Sequence, residues 1–358
     1  MIHGHNLNIP VLLVIILSSF ILGGCETLSY YQQMGTGHLD LMNKRELIST
    51  RINKTDIAPE EKRKLELVVS AKKFAREHLH LPVNSSYRHY SDLKRPYVTW
   101  NVVATKPLSM TPAPSCFPIV GCLSYRGYFK KTDAEHYAKK LDQQGLETYI
   151  AGSSAYSTLG WFDDPVVSTM LRYDDYFLLE TLFHELAHQK VYFPDDSNFN
   201  EAFASAIGQY GVRKWLETHG TTQDIQNYEI YLNRRTAFTE MLEHTADELR
   251  RIFKQKNKSK ESLLEEKKAE YATLMMRYSL FKQKHAYNGY DNWFKKPVNN
   301  PRLAIVSTYH HLVSNFNEHL KQCDNDLDRF YRSISTLSAL SPSLRKKTLL
   351  HSGGCTVK

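Results

Sequence analysis

The sequence predicts an α+β chain, mostly helical, with a core that holds a small sheet and a helical hairpin arm. Three observations lead there. Long amphipathic stretches outnumber short β-rich ones. A His-Glu-x-x-His segment sits inside one such stretch, at His184 to His188. A charged pattern of helical period runs from Gln223 to Lys282.

Composition is that of a globular protein. Of 358 residues, 42% are hydrophobic and 23% charged, which excludes a mainly disordered chain, a collagen-like repeat and a small disulfide scaffold. The formal net charge is +8. Basic residues are scattered among acids, as in APEEKRKLE, and not clustered as a nucleic-acid footprint would be. No nucleic-acid partner is expected. A mildly basic surface suits anionic lipid.

Ile9 to Leu22 is the one long apolar run, of signal-peptide length. It ends in Leu22-Gly23-Gly24-Cys25, which resembles the lipobox of bacterial lipoproteins. That resemblance implies a signal peptide over 1–24, cleavage before Cys25 and lipidation of its thiol. Glu26 follows the cysteine, so sorting by analogy favours the outer membrane, with the chain facing the periplasm. An uncleaved N-terminal anchor is the other reading. The remaining cysteines are even in number, as an oxidising compartment allows. Cys116 and Cys122 enclose a short Pro/Gly loop that can close on itself, which leaves Cys323 and Cys355 as the second pair.

A polar tether is expected over 25–40, a catalytic core over 41–222, the hairpin over 223–285, and a C-terminal helical part over 286–358 that packs back on the core. Leu41 to Leu79 reads as helices. Pro59 starts one of them, with Leu65, Val68, Val69 and Phe74 on one face. Val98 to Leu108 and Gly127 to Tyr128 lean to strand. Thr132 to Gln144 is helical and stops at Gly145. Glu147 to Ala151 and Ser157 to Phe162 read as short strands. Asp174 to Val191 is a helix, Pro194 breaks it, and Ser197 caps a second helix running to Thr218. In the arm, Leu242, Ala246, Leu249 and Phe253 share a face, and Ser262 with Glu265 suggests a capping box for the return helix. Asn288 to Arg302 is a loop, followed by one helix from Leu303 to Leu320.

Four residues of helix turn about 400°, so His184 and His188 stack on one side and reach one metal ion. Glu185 points about 100° away, toward a water beside that metal, whose proton it can take. Thirteen residues beyond His188, Glu201 falls near the start of the next helix. Two antiparallel helices across a short turn bring it to both histidines. His184, His188 and Glu201 then make a zinc site with an open position.

The metal motif and the NExFA helix resemble the gluzincins, zinc peptidases with a glutamate as third ligand. LSYRGYF (123–129), AYSTLGWFDDP (155–165), FHELAHQ (183–189), FNEAFA (199–204) and NNPRLAIVSTY (299–309) are similar to the bacterial family of predicted zinc aminopeptidases. The resemblance implies hydrolysis of peptides by Glu185 as base, with zinc as cofactor. Thermolysin-like enzymes carry Asp where this chain has Ser205, and their ligand spacing is longer. Asp174, Asp175 and Glu180 are the candidates for supporting a ligand histidine. Gluzincins add a side-chain donor for the oxyanion. Tyr309 is the first candidate, with Tyr156 and Tyr125 competing. An edge strand for substrate is expected at Ser157 to Phe162, and an amine-binding acid among Asp163, Asp164 and Glu180. An endopeptidase on the same scaffold, or a non-catalytic lipoprotein binding a partner through the arm, are the alternatives.

Overall fold

A computed structural model describes residues 27–82, 84–117, 121–158, 162–194, 196–309, 312–351 and 354–355. The apolar run Ile9 to Leu22 and Cys25 lie outside the described residues. The architecture is α+β and mostly helical. Helix α1 spans 27–43, where the sequence suggests a polar tether. Its glycines and polar residues disfavour a helix intrinsically, but Tyr30, Met34 and Leu41 pack inward, and tertiary burial overrides propensity.

Strand β1 (Arg45–Leu47) and helix α2 (Ile48–Arg51) lead to α3 (Pro59–His78), which starts with Pro59 at its first turn. Leu65, Val68 and Phe74 are buried as the pattern predicts, whereas Val69 is half exposed. Strands β2 (His89–Ser91), β3 (Thr99–Thr105), β4 (Ser115–Phe117), β5 (Gly121–Leu123), β6 (Arg126–Tyr128), β7 (Glu147–Ser153) and β8 (Val166–Val167) form three small sheets. The largest ladder pairs β3 antiparallel with β7, Thr99 opposite Ser153 through Thr105 opposite Glu147. Its other edge takes β6. Helix α4 (Lys131–Gln143) covers this sheet, burying Ala134 and Ala138 against Trp100 and Val102. Gly145 stops α4 with a left-handed φ of 80°, a conformation that costs glycine little. Elsewhere β2 joins β1 antiparallel and β8 parallel.

Of the expected strand at Ser157 to Phe162, residues 159–161 lie outside the described residues, and Ser157, Thr158 and Phe162 are not in a strand. The Asp164 carboxylate accepts from the Thr158 amide at 2.7 Å and from its hydroxyl at 2.9 Å, and the Phe162 amide donates to the same hydroxyl. Those local bonds use the groups a ladder would need.

Helices α5 (Asp175–His188) and α6 (Ser197–His219) are an antiparallel pair at the centre of the main hydrophobic cluster. Asp196, not Ser197, caps α6, its carboxylate accepting from Phe199 N. The arm is α7 (Thr222–Phe253) against α8 (Lys260–His285). Here Ser259 caps α8 and Ser262 supplies the capped amide, so the expected Ser262 box is displaced by one turn. The arm has its own core of Phe238, Leu242, Leu249, Leu274 and Tyr278, joined by Leu303 and Ala304. The short helix α9 (Asp291–Phe294) lies within the expected loop.

The single helix expected from Leu303 to Leu320 is two, α10 (Asn300–Tyr309) and α11 (Val313–Gln322). The halves bury against different cores. Leu303 and Ala304 pack on the arm, and Val313, Phe316 and Leu320 on the main cluster, which one straight rod does not serve. Helices α12 (Leu327–Thr336) and α13 (Pro342–His351) complete the chain. Tyr331 of α12 donates to the Leu79 carbonyl. Disulfides join Cys116 to Cys122 and Cys323 to Cys355.

Candidate metal centre

Helix α5 starts with Asp174 as N-cap, accepting from Phe177 N at 2.8 Å. Its buried face is Leu178, Leu179, Leu182, Phe183, Leu186 and Ala187. That anchoring fixes the rotation of the helix, and with it the direction of His184 and His188. Helix α6 comes unusually close. A Cβ at Gly208 would stand 2.9 Å from the Glu180 carbonyl oxygen, and one at Gly211 would stand 2.6 Å from Phe183 Cδ2. Only glycine lets the two backbones approach this far.

The turn between the helices is stapled by Asn200. Its side chain accepts from Phe193 N at 2.9 Å and donates to Phe193 O at 2.7 Å. Arg345 of α13 donates to Asp196 at 3.2 Å. These bonds hold the first turn of α6, and the next residue is Glu201.

His184 Nε2 and His188 Nε2 lie 3.1 Å apart. The Glu201 carboxylate reaches them at 3.3 and 3.7 Å. Donors about 2.0 Å from a tetrahedral zinc are about 3.3 Å from one another, so these three side chains fit that ion. Among the described residues they are the one group of three able to hold a metal. Ser205 Oγ stands 3.4 Å from His184 Nδ1. His188 Nδ1 is buried without a hydrogen-bond partner among the described residues.

The electrostatics follow from burial and from this convergence. Burial works against a charge on His184, yet the hydrogen bond and charge of Glu201 outweigh it and raise its pKa. Glu201 goes the other way: burial would raise it, and the two histidines bring it down. His188 falls to about 4 through burial and the neighbouring His184. Glu185 is pushed up to about 7, first by burial, then by the Glu201 charge, while His184 and the Ser157 hydroxyl oppose the rise. Behind it sits Tyr87, fully buried, in the left-handed backbone region at φ 60°. Burial, with Glu185 and Asp164 nearby, raises the Tyr87 phenol well above its ordinary value.

Two tyrosines lie near enough to the metal group to feel the charge of Glu201. Tyr125, between β5 and β6, is pushed up to about 12 by burial and by the charge of Glu201, with Tyr192 and Glu185 adding. Tyr192 stands edge-on to His188, ring centres 6.2 Å apart, and burial and Glu201 raise it too. Both phenols therefore stay protonated donors at neutral pH. Tyr156 is elsewhere, its hydroxyl 3.2 Å from His38 Nδ1. Tyr309 ends α10, and its side chain lies outside the described residues.

The expected supporting acids do not reach the histidines. Asp174 is spent on its cap, and Asp175 pairs with Arg63 at 2.6 Å. Glu180 takes two bonds from Arg235 of the arm, at 2.8 and 3.0 Å, and one from Tyr228. Ser205 is the residue that approaches. Of the amine-binding candidates, Glu180 and Asp164 are thus engaged, and burial pushes Asp164 up to about 6; Asp163 is exposed. Sequence reasoning missed Tyr192 and Asn200. Tyr192 lies four residues beyond His188 and past the end of α5, so helical phase gives no signal for it. Asn200 gives none either, because its role depends on where the turn folds back.

The fold and site together define a class: a mostly helical α+β protein with a three-residue metal-capable group on a closely packed helix pair. A family model described as "Putative aminopeptidase" matches residues 29–349. The chain belongs to that family. No curated protein and no solved structure matches it.

Proposed function

We propose that the protein is a zinc-dependent peptidase, an aminopeptidase acting on peptides in the periplasm, tethered through lipidated Cys25 to the outer membrane. The observation that carries the reading is the convergence of His184, His188 and Glu201 beside a half-buried Glu185. Family membership supports the reaction class.

His184, His188 and Glu201 would hold the zinc, which would supply Lewis acidity toward a peptide carbonyl and a water beside it. Glu185 takes the proton of the attacking water and returns it to the leaving amine. As the carbonyl carbon becomes tetrahedral, its oxygen gains charge, and the Tyr125 and Tyr192 phenols donate to it. Asp163 is the carboxylate left to capture a free α-amine. The engagement of Glu180 and Asp164 favours one second reading, an endopeptidase with no such capture.

The test is metal analysis with turnover. Wild-type chain purified without added metal is expected to hold one zinc, and Glu201→Ala to lose it. Glu185→Gln is expected to keep zinc and fold while turnover falls about 100- to 10,000-fold. Normal hydrolysis by Glu185→Gln overturns the mechanism. Comparing peptides with free and acetylated N-termini separates the two peptidase readings.

A further inference from the structure

Helix α1 carries apolar residues on two opposite sides. At about 100° per residue, Tyr30, Met34, Gly37 and Leu41 fall within one narrow sector. That sector faces the protein: Tyr30 and Leu41 are buried, and a Cβ at Gly37 would collide with the Phe129 ring. Leu28, Gly35 and Leu39 fall on the opposite side, within about 40° of one another, with Tyr31 about 60° further round. Leu28 is 71% exposed, Leu39 58% and Tyr31 41%. Nothing approaches the position of a Cβ on Gly35. Gln32, Met42 and Asn43 complete that outer sector, so it holds no charged side chain. A solvated helix face ordinarily carries charge.

What covers the stripe is indicated by where α1 lies in the chain. It is described from residue 27, two residues after Cys25 and five after the end of the apolar run Ile9 to Leu22. Whether the chain is held by a lipid on Cys25 or by that run as an anchor, a membrane surface lies within a few residues of Leu28. We propose that α1 lies flat in the headgroup region of a phospholipid bilayer, with Leu28, Tyr31, Gly35 and Leu39 turned to the lipid. This rests on the membrane-tethered reading. A helix of this kind sinks its apolar face a few ångströms into the interface. It also converts a flexible tether into a fixed orientation. The flank of α1 meets the loop next to Glu185: the His38 ring is 4.7 Å from that of Phe162, and its Nδ1 is 3.2 Å from the Tyr156 hydroxyl. That loop is thereby held about a helix diameter, roughly 10 Å, from the lipid.

The test places nitroxides on the full, membrane-extracted chain reconstituted into phosphatidylethanolamine–phosphatidylglycerol vesicles. Leu28→Cys and Leu39→Cys probe the stripe, and Lys256→Cys, at the exposed tip of the arm, is the aqueous control. Zinc content and peptide turnover confirm that each variant is folded. Labels at 28 and 39 are expected to collide with oxygen dissolved in the bilayer and to be shielded from a water-soluble nickel chelate. The label at 256 is expected to behave oppositely. If the labels at 28 and 39 are as open to the chelate as the one at 256, α1 is not interfacial. If they are shielded from both reagents, protein covers the stripe and the proposal again fails. Mass analysis of the same sample reports acylation of Cys25, and vesicle flotation reports attachment. A chain that floats yet shows open labels overturns the helix placement alone, whereas one that neither floats nor carries lipid overturns the tethered reading.

Discussion

The protein contains two helical hairpins that differ in what sets the distance between their helices. In the pair that carries the metal-capable group, α5 and α6 meet through Gly208 and Gly211, with backbone and ring atoms where a Cβ would be. In the arm, α7 and α8 meet through large side chains, and Phe238 alone contacts the rings of Tyr278, Phe281, Tyr290, Trp293 and Phe294. The arm's outer surface carries ion pairs such as Arg250 with Asp247 and Lys258 with Glu266, of the exposed kind that contributes little. Close approach lets short polar side chains on two helices converge on one point. Bulky spacing gives stability without convergence. Arg235 and Glu180 tie one hairpin to the other, so the arm steadies the metal helix one turn before His184.

The largest effect expected is on the arm. Leu249 is fully buried in the arm core, and Leu249→Ala should cost about 2–5 kcal/mol of stability. Zinc content of the surviving folded fraction should match wild type. Thermal unfolding with metal analysis checks both. Lost zinc in folded Leu249→Ala chains would mean that the arm shapes the site and does not only support it. Next is Tyr125→Phe, which touches neither hairpin's packing. It should keep zinc and melting temperature while turnover falls about 100- to 1000-fold. Wild-type turnover in this variant would return the oxyanion role to Tyr192 or Tyr309.

The hairpin that carries the metal-capable group was legible in the sequence because its signal is local. His184, Glu185 and His188 are set by helical phase alone, and Glu201 follows once Pro194 marks a turn. The β3–β6–β7 sheet, the arm and the Cys116–Cys122 loop were legible for similar reasons, and Cys323 with Cys355 followed as the remaining pair. What stayed hidden depends on distant packing. Helix α1 looks like a tether because its stability comes from Tyr30, Met34 and Leu41 against the core, not from its own composition. The strand expected at Ser157 has the right residues, but Asp164 bonds the loop to itself. The residue near His184 is Ser205 and not an acid, since Asp174, Asp175 and Glu180 each find another partner.

The sharpest test of the comparison is also the smallest in energy, Gly208→Ala. One added methyl group meets the Glu180 carbonyl oxygen at 2.9 Å, the Glu180 Cγ at 3.1 Å and the His184 Cβ at 3.5 Å. A carbonyl oxygen inside a helix cannot move alone, so α5 and α6 must separate by some tenths of an ångström. Overpacking of this kind costs about 1–3 kcal/mol, and alanine's better helix propensity returns up to about 1 kcal/mol. Net stability therefore falls little. The metal group feels the displacement more, because His184 and Glu201 sit on opposite helices and zinc tolerates only small changes in donor distance. Zinc affinity, followed by competition with a chromogenic chelator, should fall by a larger factor than the folding equilibrium does. In Leu249→Ala the order is reversed. If Gly208→Ala binds zinc as wild type does while its stability falls, glycine contact is a packing feature only, and the turn staple at Asn200 becomes the determinant of where Glu201 points.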